Sequence, residues 1–590
     1  MSILKGTKRS AMLLVAVMAI SSYSQNSVTY NVNDANLIIP PGIYGVLMER
    51  LGRQFTGQNS SGLFVGTNSP IKNTNGMRQD VIDGFIECGV TAAEWPGGCA
   101  ANGYNWSANK RPGNDVGVDR FIEFCKLTGA EAIIVGKPNG TDAASNLAFC
   151  QYVVDSLKYP LRWFKIGNEV WGCGGNKNVN AYKGDYTTNY DRLKNYFSEK
   201  NIKIAGSINY GGSNEWMNSF FDTHNGRIDG FEIHEYLYFP DSYESVNPPD
   251  NQYWDIVHRA YDGQIGPNLR RMVNTLNQRD PQNKVKLIFD EWGDWLKDVG
   301  DGWEQKATLM DALSASEHLH LFMQHSSRVE VAGLAQAVSV IHSLMNINTQ
   351  AQLVKTPTFY VFKMFKPHHL NDAKVVPTTQ SNFEKINKSG KNLQAVTSFA
   401  SVDKEGVVSI SFSNVDKDAD RSVTVSLNSN IAEYVVKSAE VITGPAIGSA
   451  NEYNQAEQIN IKPLDSNKYN LNGKQLSVTL PSKSVAMIRL EPMPVSVEPQ
   501  SSLLKSAATF SVKTGADRSV FISSSASMNS PVTVSLYGID GRTLIDRVST
   551  QFDNGNSICL PGNKLKNKGI YIVRIQGENL SFTEQVVISR

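Results

Sequence analysis

From about residue 40 to 345 the chain alternates short, β-rich apolar runs with amphipathic helical stretches. This alternation constrains the fold more than any other feature. The β-rich runs are 42–47, 92–95, 132–135, 163–166, 203–205, 230–234 and 285–289. Between them, helical periodicity marks 76–87, 118–127, 143–157, 189–199, 267–276 and 307–322. Asn73, Thr74 and Asn75 are good capping residues for the first of these helices. Repeated βα units of this length require a parallel sheet, and seven or eight of them favour a (β/α)8 TIM barrel over a doubly wound sheet. No glycine-rich nucleotide loop, nucleophile elbow or HExxH zinc motif interrupts the pattern.

After about residue 360 the helical period disappears. Segments 393–398, 407–413, 422–427, 434–442, 460–461, 476–480 and 484–490 alternate or are β-branched, as in an antiparallel β-sandwich. The early β-like segment 27–39 is expected to pair with it. Pro492, Pro494 and Pro499 mark a linker, and a last β-rich block follows, with a hairpin signal at Ile539-Asp540-Gly541-Arg542. The expected division is a signal peptide at 1–24, N-terminal strands at 25–39, the barrel at 40–355 and an all-β sandwich at 356–492. A linker at 493–508 then leads to a small C-terminal β-sandwich at 509–590.

The remaining composition narrows function by exclusion. The 57 basic and 56 acidic residues balance, so no basic surface argues for nucleic acid. Lys5, Lys8 and Arg9 precede an apolar stretch at 12–20 and small residues at 21–24, the pattern of a signal peptide cleaved near Ser24. The apolar stretch is too short to span a bilayer. Export permits disulfides. The six cysteines show no zinc spacing; Cys88, Cys125 and Cys150 fall in helix-like patterns and are expected as buried thiols. Cys99 and Cys173 follow strand ends and could approach each other at one end of a barrel. His318, His320 and His325 are read as structural, because residues two apart do not share a helix face.

Two strand ends carry the chemistry. One reads Trp163-Phe164-Lys165-Ile166-Gly167-Asn168-Glu169-Val170-Trp171, the other Leu287-Ile288-Phe289-Asp290-Glu291-Trp292-Gly293-Asp294-Trp295. Each is an apolar strand ending in a carboxylate with tryptophan close behind. Barrel active sites lie at the C-terminal ends of strands. Counting units of roughly 40 residues puts Glu169 on the fourth strand and Glu291 on the seventh, facing each other across the mouth. Glycoside hydrolysis needs such a pair, one carboxyl protonated and one ionised. Either glutamate alone would read as a loop residue beside a core tryptophan.

The motifs also resemble glycoside hydrolase family 51, the α-L-arabinofuranosidases. The resemblance lies in the stretch 62–81, in Trp95-Pro96-Gly97-Gly98-Cys99, in Gly167-Asn168-Glu169-Val170-Trp171-Gly172, in Asp290-Glu291-Trp292-Gly293 and in Thr356-Pro357-Thr358-Phe359. It covers about residues 27 to 492. It implies that Glu169 is the acid/base and Glu291 the nucleophile of a retaining, exo-acting enzyme without cofactor or metal. Its substrates would be arabinan, arabinoxylan or derived oligosaccharides. It also implies that Asn168 binds the sugar 2-hydroxyl, that Glu49, Cys99 and Gln336 line the sugar pocket, and that His234 and Tyr236 lie near the nucleophile. From the residues alone, Glu49 could be a surface ion-pair partner, His234 a core histidine and Gln336 a helix-start residue.

Two positions depart from the family. Arg50 stands where the family usually has His, and Glu94 where it usually has Arg; the two are expected to compensate as a salt bridge. The final block resembles the C-terminal sorting domain of the type IX secretion system, with a small carbohydrate-binding sandwich as the alternative. Secretion or cell-surface placement through the periplasm follows from that reading. The rival functions are a retaining endo-xylanase, endo-glucanase or galactofuranosidase on the same barrel, and a non-catalytic glycan-binding protein. The sequence leaves self-association open.

Overall fold

The computed structural model describes residues 26–56, 61–297 and 303–493, and most of 510–588. The expected signal peptide at 1–24, the prolines Pro494 and Pro499, and the turn at 539–542 lie outside the described residues.

Eight parallel strands close into a barrel. They are β1 (Gly45–Leu47), β2 (Ala92–Trp95), β3 (Glu131–Gly136), β4 (Trp163–Ile166), β5 (Lys203–Ser207), β6 (Gly230–Tyr238), β7 (Lys286–Trp295) and β8 (Val329–Leu334). The closing strand, β8, is absent from the runs read as β in the sequence. Its residues are Val-Glu-Val-Ala-Gly-Leu, short and weak in β-propensity toward the end. It is held by pairing Leu287 with Val329 on one side and Gly333 with Gly45 on the other. The lower interior is filled by Ala92, Ile133, Trp163, Ala205, Ile288 and Val331.

The helices around the barrel include α1 (Gln79–Cys88), α2 (Val118–Thr128), α3 (Ala143–Gln151), α4 (Val179–Lys200), α5 (Asn214–His224), α6 (Asp250–His258), α7 (Ile265–Arg279), α8 (Leu309–Gln324) and α9 (Pro357–Phe365). The capping expected from Asn73, Thr74 and Asn75 does not occur. Asn73–Thr74 pairs with Met77–Arg78 in a hairpin turned by Asn75 and Gly76, both at positive φ, so α1 starts at Gln79. α4 begins ten residues before the expected start because the Asn178 side chain caps Asn180 and Ala181, at 3.1 and 3.0 Å. Its Tyr182, Tyr186, Asn189, Leu193 and Phe197 then form one buried stripe.

The expected barrel–sandwich division at 355/356 falls at the start of α9, which packs on α1 and α8. The sandwich proper has a six-stranded sheet, in the order Lys374–Val375, Val396–Val402, Val408–Asn414, Ser484–Pro492, Tyr434–Ile442 and Lys462–Pro463. Its five-stranded sheet contains Asn26–Asn31, paired parallel with Arg421–Asn428 and antiparallel with Thr378–Asn382. In Arg421–Asn428 the buried residues Val423, Val425 and Leu427 alternate with more exposed ones, the period of a strand with one core face. α8 is buried almost throughout. Its His320 hydrogen-bonds Thr397 and Ser411, both at 2.9 Å, and Ser316 meets Ser413 at 2.9 Å. One hydrophobic core therefore runs through barrel and sandwich.

Residues 494–590 form a separate compact unit. A three-stranded sheet (Phe510–Thr514, Val520–Ser524, Ser557–Leu560) and a four-stranded sheet (Leu544–Thr550, Val532–Gly538, Gly569–Gly577, Leu580–Ile588) enclose their own core around Val534, Ile522, Val573 and Ile575. Among the described residues, no helix is long and apolar enough to cross a membrane.

Candidate active site

β4 ends in a turn that only particular residues allow. Gly167 sits at φ +81°, and a Cβ there would come within 2.7 Å of Pro138 and 2.9 Å of Val170. Glu169 itself adopts φ +43°, an uncommon conformation for a non-glycine residue. Two contacts hold it. The Glu169 N–H donates to Glu232 Oε1 at 3.1 Å. Asn102 clamps the residue before it, accepting from Asn168 N at 3.1 Å and donating to Asn168 O at 2.9 Å. A disulfide between Cys99 and Cys173 ties the segment after β2 to the segment after β4. Both sulfurs lie against Glu169 Oε2, at 3.8 and 3.6 Å. Cys88, Cys125 and Cys150 are free and buried.

Pairing of β6 with β7 sets His234 beside Glu291 and Tyr236 beside Gly293. The Tyr236 hydroxyl donates to Glu291 Oε2 at 2.9 Å. His234 Nδ1 lies 3.0 Å from Glu169 Oε1 and 3.3 Å from Glu291 Oε2. An oxygen of Glu169, an oxygen of Glu291 and a ring nitrogen of His234 fall within 4.8 Å of one another. Retaining glycosidases hold their carboxyls about 5–5.5 Å apart, inverting enzymes roughly 6.5–9.5 Å. The separation here is on the retaining side.

Glu49 reaches the same mouth from beyond β1. It packs against Gly98, where a Cβ would overlap its carboxylate at 2.1 Å, so the second glycine of Trp95-Pro96-Gly97-Gly98 makes room for it. Backbone N–H groups of Ala100 and Cys99 donate to it. Gln336, beyond β8, donates to Glu49 Oε2 at 3.3 Å and accepts from Glu49 N at 3.2 Å. Gln54, which the sequence reading passed over, locks this corner. Its amide donates to Gln336 Oε1 at 2.5 Å and to Glu49 O at 2.8 Å, and its oxygen accepts from Ala337 N at 3.0 Å. Asn102 was also missed. Neither residue belongs to a recognisable motif, and each acts by touching backbone.

The carboxyls are crowded. Burial pushes Glu291 up to about 8; His234 opposes the shift, while the charges of Glu169 and Glu49 add to it. Burial raises Glu49 to about 7 against the backbone N–H groups that stabilise its anion. Burial alone would lower His234, but the charges of Glu291 and Glu232 and its hydrogen bond to Glu169 hold it well above an ordinary imidazole. The Asn168 side chain is buried, and neither of its polar atoms has a hydrogen-bond partner among the described residues. All eight residues implied by the family resemblance thus gather at one end of the barrel.

The tryptophans divide by role. Trp292 is buried and stacks on His318. Trp295 meets Tyr236, Tyr238 and Trp303 edge-on or tilted at 5.1–5.4 Å, beside a cleft of about 420 Å3. The expected Arg50–Glu94 salt bridge is absent. Arg50 pairs with Asp115 and donates to Val116 O at 2.9 Å, whereas Glu94 is buried against Lys165 Nζ at 3.0 Å. Arg50 lies past the end of β1, at the rim, whereas Glu94 sits within β2 and is buried inside the barrel.

A barrel with one glutamate just past the fourth strand and a second on the upper part of the seventh, close to each other at one end, defines a glycoside hydrolase of the two-carboxylate type. Comparison with known proteins narrows the class. Residues 290–484 match the α-L-arabinofuranosidase C-terminal domain family. An intracellular exo-α-L-arabinofuranosidase of Bacteroides ovatus is 28% identical over 524 residues, spanning 82% of this chain and 99% of the relative. An α-L-arabinofuranosidase C of Emericella nidulans is 25% identical over 378 residues, 55% of this chain and 71% of that one. The crystal structure of a family 51 arabinofuranosidase from Xanthomonas axonopodis pv. citri superposes with a TM-score of 0.70 at 24% identity, covering 79% of this chain and 100% of that chain. That last likeness is one of fold. Within the class, the profile match and the relatives support the α-L-arabinofuranosidases.

Proposed function

We propose that this enzyme is a retaining, exo-acting α-L-arabinofuranosidase that releases terminal arabinofuranosyl groups from arabinan, arabinoxylan or oligosaccharides derived from them. The observation that carries the reading is the close approach of Glu169 and Glu291 through His234, in a pocket closed on one side by Glu49 and Gln336. Glu169 donates its proton to the glycosidic oxygen while Glu291 attacks the anomeric carbon. Tyr236 fixes Glu291 Oε2, and Oε1 has no hydrogen-bond partner among the described residues, which leaves it to form the glycosyl ester. Glu169 then takes a proton from water, which displaces Glu291 with net retention. Asn168 offers a free amide to the 2-hydroxyl, and Glu49 and Gln336 bind hydroxyls on the far side of the ring.

Arabinose release from arabinan and arabinoxylan, with NMR of the first-formed anomer, tests this reading. Inverted product sinks the double displacement. Activity on xylan or glucan chains, or on a galactofuranoside, without arabinose release sinks the sugar assignment. Binding without turnover of any glycoside would make this a glycan-binding protein.

The basic-then-apolar N-terminus and the type IX-like C-terminal block support export through the periplasm, with the secretion machinery as partner. The separate core of residues 494–590 fits a module that need not touch substrate. Truncation after residue 500 should leave hydrolysis intact in vitro and trap the enzyme in the cell envelope of its host. Normal secretion with poor polysaccharide binding would instead make the block a carbohydrate-binding module.

A further inference from the structure

The upper interior of the barrel is charged, where branched aliphatic side chains are usual. Alternate strands contribute Glu94 on β2, Lys165 on β4 and Glu232 on β6, joined by Asp290 on β7, and all four are buried. Lys165 Nζ lies 3.1 and 3.0 Å from the two oxygens of Glu94, contacts Asp290 Oδ2, and is 3.9 Å from Glu232 Oε2. The family's arginine before Trp-Pro-Gly-Gly is thus replaced here by an acid, and a cation enters the barrel from β4 instead. None of these four groups has a role in the double displacement described above, yet they lead directly to it. Glu232 Oε1 accepts from the Glu169 backbone and lies 2.9 Å from His234 Nε2.

That contact decides where the imidazole carries hydrogen. An ionised carboxylate only accepts hydrogen bonds. Glu232 is held in its charged form, below the usual carboxylate range; burial would raise it, but Lys165 and His234 outweigh burial. Two carboxylates, Glu232 Oε1 at 2.9 Å and Asp290 Oδ1 at 3.6 Å, face His234 Nε2, neither in line for a hydrogen bond; a lone pair there would meet two anions, so Nε2 is the nitrogen that carries hydrogen. Nδ1 is left facing Glu169 Oε1 at 3.0 Å and Glu291 Oε2 at 3.3 Å. Both contacts are favourable only if a proton lies in that triangle, on Nδ1 or on one of the two carboxyls.

We propose that Glu232, facing Lys165 across the barrel, is a positioning residue whose charge favours the Nε2–H form of His234, so that Nδ1 passes one proton between Glu291 and Glu169. The inference rests on the assignment of those two glutamates as nucleophile and acid/base. In the free enzyme the proton resides on Glu291 or Nδ1. When substrate is bound it moves through Nδ1 to Glu169, leaving Glu291 ionised for attack, and no proton is gained or lost. Glu169 then gives that proton to the leaving oxygen. In the second half-reaction water restores it to Glu169, and the displaced Glu291 departs as carboxylate. The groups that set the proton affinity of His234 are Glu169 and Lys165 from β4 and its end, Glu232 on its own strand, Asp290 and Glu291 on β7, Glu94 on β2 and Glu49 beyond β1.

The test compares wild type with Glu232→Gln and Glu232→Asp, each checked for a native melting profile. It uses a 4-nitrophenyl and a methyl glycoside of whichever sugar the wild type hydrolyses. The first leaving group needs little protonation, the second much. Glu232→Gln should lower kcat/KM about ten-fold or more on the methyl glycoside and about three-fold or less on the nitrophenyl glycoside. Removing the anion also makes the shared proton easier to lose. The basic limb of the pH profile should therefore move down by about half a unit or more. Glu232→Asp, which keeps the charge but withdraws it from Nε2, should show the same pattern more weakly, and it carries the test alone if the Gln variant does not fold. Equal losses on both leaving groups with an unmoved basic limb would overturn the proposal, as would wild-type behaviour in both variants. A wild type inactive on arabinofuranosides but active on another glycoside overturns the sugar assignment and leaves this comparison intact.

Discussion

Removing the Cys99–Cys173 disulfide, by changing both residues to Ala, should cost much free energy and surprisingly few degrees. The bridge joins residues 74 apart, so the chain between them, including β3 and β4, is closed into a loop in the unfolded state. The chain-entropy relation puts the loss at about 4.4 kcal/mol for a loop of that length at 25 °C. The barrel and sandwich share one core and unfold as a unit of about 470 residues. At about 2.1 cal/mol/K per residue their unfolding entropy is near 1 kcal/mol/K, so the expected drop in Tm is only about 4–5 °C. Differential scanning calorimetry of wild type and the double variant, each with and without dithiothreitol, measures it. The reductant should shift the wild type alone, since Cys88, Cys125 and Cys150 are already free thiols. The same change frees the segment against which Glu169 rests, so kcat/KM on poor leaving groups should fall along with Tm. A double variant that melts within about 1 °C of wild type would show that the cross-link does not restrict the unfolded chain as this account requires.

Three further outcomes follow from the site and its surroundings. Glu291→Ala should lose activity by several orders of magnitude and yield a glycosyl azide of inverted configuration with added azide, whereas Glu169→Ala should retain activity on good leaving groups; near-normal rates for both variants on natural polymer would refute the assignment. The charge of Glu49 helps to raise Glu291, so Glu49→Gln should move the acidic limb of kcat/KM to lower pH while lowering its maximum, as read from a full pH–rate profile. Glu317 on α8 is pushed well above the usual carboxylate range by burial, with Asp262 and Asp294 adding to it. A raised carboxyl stabilises the fold fully below its unfolded pKa and loses that contribution as pH rises, so Glu317→Gln should flatten the decline of urea stability from about pH 5 upward.

The fold was legible wherever periodicity carries it. Seven barrel strands stand out as short apolar runs buried on both faces, and Arg421–Asn428 because its buried residues alternate with exposed ones. β8 did not, because it is short and is held by partners far off in sequence, Val329 with Leu287 and Gly333 with Gly45, while its own Glu-Val-Ala-Gly core shows neither period. At the site, Glu169 and Glu291 were readable from their place after apolar strands, and Glu49, His234, Tyr236 and Gln336 from the family resemblance. Lys165, Glu94 and Glu232 were not. A buried charge is spelled with the same letter as a surface one, and only its neighbours across the barrel distinguish them. The expected Arg50–Glu94 pair failed for that reason: both residues were rightly noticed, but nothing in their order tells which way a strand turns its side chains at its end.

The strand Asn26–Asn31 has a consequence for how the protein is made. It lies inside the five-stranded sheet, and Asn26 bonds Ser422 across 396 residues of chain. At about 5–20 residues per second a ribosome takes roughly 20–80 s to deliver that partner. Until Thr378–Asn382 emerges the first strand has neither of its neighbours in the sheet, while the barrel between them is being made. Of the barrel and the sandwich, the sandwich therefore closes last although it holds Asn26–Asn31. Any factor that shields an unpaired β-edge during synthesis or transport would act on these six residues before any other part of the sheet exists.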